Sequence, residues 1–138
     1  MADSPVPDFT WRVRVYWEDT DGEGVVFYAN YFRFLERART EWLRQKGIVQ
    51  SRMQQDIGAV LVVKNLQADF IQAARLDDEL DVTVTMLGRG GASMTLGQDI
   101  NRVADGAPVL KSTLKAACLD GEKWTPIRFP PQLKKALT

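Results

Sequence analysis

One long helical pattern followed by four consecutive strand patterns constrains this fold more than any other feature of the sequence. The helix is predicted from about Val26 to Lys46, with Gly47 as its C-terminal stop. Its apolar stripe is broad and consists of Phe27, Tyr31, Phe34, Leu35, Ala38 and Trp42. Because a stripe of this width has to be covered, we expect the helix to be central and not peripheral.

The other regular segments alternate between apolar and polar residues, which is typical of half-buried strands. The predicted strands cover Thr10 to Trp17, Val60 to Phe70, Leu80 to Met86, Ala92 to Ile100 and Leu110 to Cys118. Trp11, Trp17 and Trp42 are assigned to the core. Arg89-Gly90-Gly91 and Asp105-Gly106 are predicted hairpin turns, and short helices are predicted at Gln50 to Asp56 and Gln132 to Leu137. This order indicates an α+β fold in which a five- to six-stranded antiparallel sheet wraps the helix.

Length and composition limit the class of protein. The 138 residues suit a single domain over 1–138, with 1–8 as a flexible lead-in. The formal charge is zero and there is no basic block, so no nucleic-acid partner is expected. The chain shows no signal-peptide pattern, and no apolar run approaches the ~18 residues of a membrane span. We expect Cys118 to be a buried thiol and the protein to be cytoplasmic.

The absence of histidine excludes several kinds of catalysis. The chain has no histidine and one cysteine, so neither a Ser–His–Asp nor a Cys–His arrangement can form within it. A zinc site would also lack ligands. We therefore expect no metal and no cofactor, and any catalysis must use carboxylates, lysine, tyrosine, hydroxyl groups or backbone amides.

The junction between the first strand and the helix concentrates the residues that can do chemistry. Asp19, Asp21 and Glu23 alternate there with Gly22 and Gly24. The free N–H groups and the positive dipole end of a helix start can polarise an electron-rich group. From position alone, Asp21 also suits a helix cap or a turn. Gly24 suits a positive φ, a close backbone approach or an ordinary turn.

This junction resembles that of the 4-hydroxybenzoyl-CoA thioesterase family of hotdog-fold proteins. Within this family, it is similar to the acyl-CoA thioesterases associated with the bacterial Tol–Pal gene cluster. The resemblance is carried by YWEDTDGEGVVFYANY at residues 16–31, FLERAR at 34–39 and DDEL at 77–80. It extends from about Thr10 to Leu137. One departure is Tyr28, where many Tol–Pal-type members have histidine, so histidine-dependent details do not transfer.

The resemblance implies a hotdog fold whose active sites lie at a dimer interface, often within a tetramer. It implies hydrolysis of acyl-CoA thioesters, with acyl carrier protein as a second carrier to consider, and it places the catalytic carboxylate on Asp21. That carboxylate could attack the thioester carbon or activate water, and the sequence leaves both routes open. The backbone N–H of Tyr28 is the candidate oxyanion donor. The alternative for Tyr28 is an aromatic residue of the core or the pocket lip.

Further residues are candidates for substrate binding. Gly24, Val26 and Asn30 lie at the helix start, and Lys64 and Arg89 could bind the phosphates of coenzyme A. The alternatives are helix-start packing for the first group and solvated surface charge for the second. Lys64 also interrupts the apolar face of its strand. Glu36 and Arg39 are spaced as an i,i+3 ion pair.

Three other functions are alternatives on the same fold, and the third of them, an interaction subunit of the envelope-maintenance machinery, is supported by the family resemblance alone. The first is a non-catalytic module that binds acyl-CoA or acyl carrier protein, for which an acid beside a carbonyl oxygen would bring little advantage. The second is a dehydratase or hydratase, whose relatives pair an acid with histidine, a residue that this chain lacks.

Overall fold

The computed structural model describes residues 6–138 and shows one antiparallel sheet around a long helix. The strands are β1 (Phe9–Arg14), β2 (Ala59–Phe70), β3 (Glu79–Arg89), β4 (Ser93–Arg102) and β5 (Pro108–Asp120). The helices are α1 (Asn30–Gln45), α2 (Gln50–Asp56) and α3 (Pro131–Ala136), with a 3₁₀ turn at Trp17–Asp19. The five strands lie in the order β1-β3-β4-β5-β2. A helix held in such a sheet is the predicted α+β hotdog arrangement.

Helix α1 is central, as its apolar stripe predicted. Phe34, Leu35 and Ala38 have no exposed surface, and Tyr31 and Trp42 are nearly as well buried. They belong to one hydrophobic core with the inward-facing residues of the sheet, among them Leu80, Val82, Val84, Leu96, Ile100, Leu110 and Leu114. The predicted β-strands after the helix therefore form the wall that covers it.

The helix begins at Asn30, four residues later than predicted. The reason is that two β-bridges keep the preceding residues extended: Val25 pairs with Arg75 and Val26 pairs with Thr20. Val26 also donates its N–H to the carbonyl oxygen of Ala74 (2.9 Å). Because the chain is extended as far as Val26, Phe27 lies outside the helix and is 44% exposed.

The C-terminal end of α1 follows the prediction. Gly47 has φ +84°, a conformation that glycine adopts without steric cost. The N–H of Ile48 reaches back to the carbonyl oxygen of Leu43 at 2.9 Å, as in a glycine-capped helix end.

Strand β1 is shorter than predicted and leaves two tryptophans exposed. It ends at Arg14, and the N–H of Tyr16 then donates to the Asp19 carboxylate at 2.8 Å, which caps the 3₁₀ turn. This turn removes Trp17 from the alternation and leaves it 61% exposed, while Trp11 on the edge strand is 37% exposed. The assignment of these two residues to the core is therefore wrong.

Lys64 forms a β-bulge in β2. Val63 pairs with Ala116 and Asn65 pairs with Lys115, so Lys64 has no partner of its own. An extra residue reverses the faces on which side chains lie. Ala59 and Leu61 pack on the core before the bulge, and Leu66 and Ala68 do so after it. Val60 and Val62, which share the sequence parity of Leu66 and Ala68, therefore lie on the opposite face of the strand.

The beginning of the described chain is bonded to the sheet. The N–H of Asp8 donates to the carbonyl oxygen of Val84 (2.9 Å), and its carboxylate accepts the N–H of Met86 (2.7 Å). The predicted flexible lead-in therefore does not hold at Asp8, and residues 1–5 lie outside the described range. Within residues 6–138, no helix combines the length and the apolar character needed to cross a membrane.

Candidate active site

A tight loop presents Asp21 beside the chain that enters α1. The N–H of Asp21 donates to the carbonyl oxygen of Val25 at 3.0 Å, which closes the loop. Gly22 and Gly24 have φ values of +92° and +89°, in the region that favours glycine. The predicted positive φ of Gly24 is confirmed. The alternating acids and glycines therefore encode a loop whose backbone other residues could not follow without strain.

The Asp21 carboxylate is oriented by one oxygen and free at the other. Its Oδ1 accepts the N–H of Glu23 at 2.8 Å, which fixes the side chain in a turn. In the described part of the chain, Oδ2 accepts no hydrogen bond, and the carboxylate has no ion-pair partner within 4.0 Å. The side chain is exposed. An oriented but unoccupied carboxylate oxygen can act as a nucleophile or a base.

We expect Gly24→Ala to reduce the free energy of unfolding by about 1–2 kcal/mol, because alanine is strained at a positive φ. Apart from the glycine and its two chain neighbours, no heavy atom of residues 6–138 lies within 4 Å of the position that a Cβ would occupy, so the substitution tests backbone strain without a clash. Gly88→Ala is the matched control, since Gly88 has equal space and no positive φ. Urea unfolding of both variants measures the difference. Equal midpoints for the two would contradict the strain argument.

The chain entering α1 carries two free N–H groups. Asn30 to Phe32 donate their N–H groups to carbonyl oxygens three residues earlier, at 2.8 to 3.4 Å. Tyr28 and Ala29 donate no backbone hydrogen bond to any residue of the described range. The Tyr28 N–H predicted as an oxyanion donor is therefore unoccupied, and it lies just before the first turn of a 16-residue helix.

Val26 and Asn30, predicted to bind substrate, hold the site together in this chain. Val26 is buried in the core, and its N–H is bonded to Ala74. The side-chain amide of Asn30 donates to the carbonyl oxygen of Asp19 at 2.8 Å. The Tyr31 hydroxyl accepts the N–H of Ala74 at 2.9 Å, and burial raises the pKa of this hydroxyl. These bonds join the Asp21 loop, the helix start and the segment before β3.

Arg102 fixes the segment before β3 from the other side. Its guanidinium donates to the Asp78 carboxylate (3.3 Å), the Asp105 carboxylate (3.0 Å) and the carbonyl oxygen of Ala73 (3.2 Å). Asp78 also accepts the N–H of Arg75. Sequence reasoning missed Arg102, because two of its three partners, Asp78 and Ala73, are distant in the chain and no local pattern marks them.

An exposed aromatic cluster lies beside the two free N–H groups. It consists of Phe27, Tyr28, Phe32 and Phe70, each between 37% and 62% exposed. The ring centroids of Tyr28 and Phe70 are 6.3 Å apart in an edge-on arrangement, and those of Phe32 and Phe70 are 6.2 Å apart. The Tyr28 side chain is therefore exposed and not in the core. A large apolar surface beside a polar site indicates a binding surface.

Sequence reasoning also missed a second group of polar residues, which lies around Arg39. Its Nη1 donates to the Gln98 side-chain oxygen at 2.9 Å, and the Gln98 amide donates to the carbonyl oxygens of Leu35 (3.0 Å) and Thr83 (3.2 Å). Burial lowers the pKa of Arg39, although the negative charge of Glu36 opposes this effect. The predicted Glu36–Arg39 ion pair is not formed within 4.0 Å. A signal existed in the sequence, since Gln98 interrupts the apolar face of β4.

Lys64 and Arg89 are not brought to Asp21 within one chain. The Asp21 loop contacts the chain just before β3, through a bridge between Val25 and Arg75. Arg89 is the last of the 11 residues of β3, about 33 Å further along the sheet. Lys64 lies exposed at the bulge of β2. Their binding of coenzyme A stays a prediction, and it would require a second copy of the chain. Within residues 6–138, no cluster of metal-ligating side chains is found.

Comparison with known proteins shows which family this chain resembles. Residues 15–137 match the model of the thioesterase-like superfamily. The protein named acyl-CoA thioesterase YbgC from Haemophilus influenzae is 41% identical over 128 residues, which cover 93% of each chain. The acyl-CoA thioester hydrolase YbgC of Escherichia coli O6:H1 is 35% identical over 125 residues, which cover 91% of this chain and 92% of that protein.

A solved structure shares the fold. The 1,4-dihydroxy-2-naphthoyl-CoA thioesterase from Synechocystis superposes with a TM-score of 0.85, covering 94% of each chain at 20% identity. At this identity the likeness concerns the fold alone. The hotdog fold expected from the sequence is thereby confirmed, with five strands in the sheet.

Proposed function

We propose that this chain, which belongs to the thioesterase-like superfamily and is a thioester hydrolase, cleaves acyl-CoA to free CoA and a carboxylic acid. Asp21 is the proposed catalytic carboxylate. The observation that carries the proposal is that Asp21 has a free carboxylate oxygen on a loop bridged to Val26, while the backbone N–H groups of Tyr28 and Ala29, a few residues further on, donate no hydrogen bond to any described residue. The carboxylate can supply a nucleophile or base, and the N–H groups can hold negative charge that develops on the carbonyl oxygen.

The Tyr28 N–H is the proposed oxyanion donor. In the transition state, the electron pair of the thioester C=O moves onto oxygen, and an N–H placed there in advance stabilises that charge. A donor of this kind is typically worth about 3 kcal/mol. The hydroxyl of Tyr28 is not required for this role, so the absence of histidine at this position does not prevent it.

Two routes through Asp21 fit the same geometry. In the first, Asp21 Oδ2 bonds to the thioester carbon, the C–S bond breaks, CoA thiolate leaves and takes a proton, and water then hydrolyses the mixed anhydride. In the second, Asp21 takes a proton from water while that water oxygen bonds to the carbon, and CoA leaves in the same way. Transfer of ¹⁸O from labelled water into the Asp21 carboxylate in a single turnover distinguishes the first route.

The proposed functional unit is a dimer formed through β2. This strand is at one edge of the sheet, and the exposed aromatic cluster meets it at Phe70. Antiparallel pairing of two β2 edges about a two-fold axis would cover both clusters and place the far end of each sheet near the partner's Asp21 loop. The sheet face away from α1 carries an open groove of about 650 Å³, where a second dimer would give the predicted tetramer.

We expect Phe70→Asp to weaken self-association at least ~10-fold (~1.4 kcal/mol), because it places a charge within the aromatic cluster. Light scattering over a dilution series measures the dissociation constant. Trp11→Asp is the control, since Trp11 is an exposed aromatic on β1 at the opposite edge of the sheet. A monomeric wild type, or equal dissociation constants for the two variants, would rule out the β2 interface.

Thiol release from a panel of acyl-CoAs tests the proposed function. The panel contains short, long and hydroxybenzoyl thioesters, and one acyl carrier protein thioester tests the second carrier. Turnover of any CoA thioester supports the proposal, and the ranking names the acyl group. Binding of acyl-CoA without turnover of any member would instead favour the non-catalytic binding module. A cytoplasmic location is part of the proposal, and the single, fully buried Cys118 agrees with it.

A further inference from the structure

A partly open cavity of about 200 Å³ lies between α1 and strands β2, β4 and β5. Its walls are mainly apolar, with Trp42, Leu61 and Met94 among them, and its polar lining comes from Arg39, Glu36 and Gln50. If each non-hydrogen atom takes about the volume of one water molecule, there is room for roughly seven atoms, and the open side admits a slightly longer ligand. The cavity could therefore hold a small apolar body with one polar end.

The Arg39 guanidinium has a fixed position and no carboxylate in contact with it, although the Glu36 carboxylate lines the same cavity at a greater distance. Its one side-chain partner is Gln98, which is completely buried and held by hydrogen bonds to α1 and β3. Within residues 6–138, no carboxylate lies within 4.0 Å of it. A guanidinium that is removed from water is costly unless an opposite charge compensates it. Its remaining N–H groups are arranged as a fork that suits the two oxygens of a carboxylate.

We propose that this cavity is a binding site for the carboxylate of a small apolar acid, with Arg39 holding the carboxylate and the apolar walls holding the hydrocarbon. Gln98 is a positioning residue that keeps the guanidinium in place. The inference rests on the proposed function, because that reaction consumes acyl groups and releases carboxylic acids. It adds a ligand class and a binding residue to a part of the molecule that the chemistry at Asp21 does not use.

The acid could come from two sources. Arg39, in the cavity wall, and Asn30, at the helix start, are nine residues apart on α1, or about 14 Å. Within one chain the cavity is therefore separate from Asp21. In the proposed β2 dimer, it would lie near the partner's thioester site. The ligand is then either the far carboxylate of a dicarboxylic acyl thioester that reacts at the partner's site or a free acid.

Binding of hexanoate and of 1-hexanol, which have similar hydrocarbon bodies, tests the charge requirement by calorimetry. We expect the wild type to bind hexanoate at least ~10-fold more tightly than 1-hexanol. Arg39→Met should abolish this difference, while Arg44→Met, on the exposed end of the same helix, should retain it. Because the comparison of the two ligands is made on the wild type as well, the test stands even if Arg39→Met fails to fold.

Hydrolysis of adipyl-CoA and hexanoyl-CoA distinguishes the sources. If the far carboxylate is the ligand, Arg39→Met lowers the adipyl-to-hexanoyl ratio of kcat/KM at least ~10-fold. If the free acid is the ligand, that ratio is unchanged and inhibition by hexanoate weakens instead. Equal binding of hexanoate and 1-hexanol by the wild type overturns the inference. Conversion of a dimer to a monomer by Arg39→Met also overturns it, because Arg39 would then pair with an acidic side chain of the partner subunit. Hexanoate binding without any thioester turnover would overturn the proposed function alone.

Discussion

Replacing Asp21 with asparagine is expected to lower kcat for thioester hydrolysis at least ~100-fold, or about 2.7 kcal/mol. The carboxamide removes the charge and the basicity that both routes through Asp21 require. It keeps an oxygen that can accept the N–H of Glu23, so the loop should retain its shape. Thiol release from the best acyl-CoA of the panel measures the effect, with unfolding by urea as a check on the fold.

Glu23→Gln is the matched control for Asp21→Asn. It removes one negative charge from the same exposed loop but leaves the backbone N–H that orients Asp21. We expect a less than ~5-fold change in kcat, since a solvated charge nearby has a small electrostatic effect on the reaction. Unchanged turnover in Asp21→Asn, or equal losses in the two variants, would remove the catalytic role from Asp21 and leave it as a turn residue.

Phe34→Ala is expected to cost about 3–5 kcal/mol in the free energy of unfolding, the range for truncation of a buried aromatic side chain. Phe34 has no exposed surface and lies on the face of α1 that packs on the sheet. Its ring also meets the Tyr31 ring at 6.4 Å, so the loss includes a contact that supports the helix start. The midpoint and slope of urea unfolding give the value.

Phe32→Ala is the control for Phe34→Ala, because it makes the same truncation two residues earlier on the same helix. Phe32 is 37% exposed and faces the aromatic cluster. We expect the free energy of unfolding of the isolated chain to fall by less than ~1.5 kcal/mol. If the β2 dimer buries this residue, a further loss of stability should depend on protein concentration. Equal costs at all concentrations would show that α1 does not pack on the sheet through the face described above.

The elements that depend on local periodicity were predictable from the sequence. The apolar stripe of α1, the alternation in β3 to β5 and the hairpin turns depend on neighbours within a few residues. The glycine at position 47 ends α1 where predicted, because a positive φ is a local property. The Asp21 loop was also predictable, because the carboxylate of Asp21 and the preference of Gly24 for a positive φ are properties of single residues.

The sequence-based predictions were wrong where a residue distant in the chain determines the local structure. Val26 has a helix-compatible sequence around it, but the bridges of Val25 to Arg75 and of Val26 to Thr20 keep the chain extended, so the helix begins only at Asn30. The bulge at Lys64 exists because β5 pairs with β2 on both sides of it, a register that no window of β2 contains. Local preference is weak beside such tertiary hydrogen bonds and packing.

The class of fold, the place of the Asp21 loop and the groups available for catalysis could be read from the sequence, since a chain without histidine leaves carboxylates, lysine, tyrosine, hydroxyl groups and backbone N–H groups. The sequence could not show that the Tyr28 N–H stays free, or that Arg39 lies in a cavity wall with no described carboxylate within 4.0 Å. Both depend on hydrogen bonding and desolvation, which involve atoms that folding brings together from distant parts of the chain.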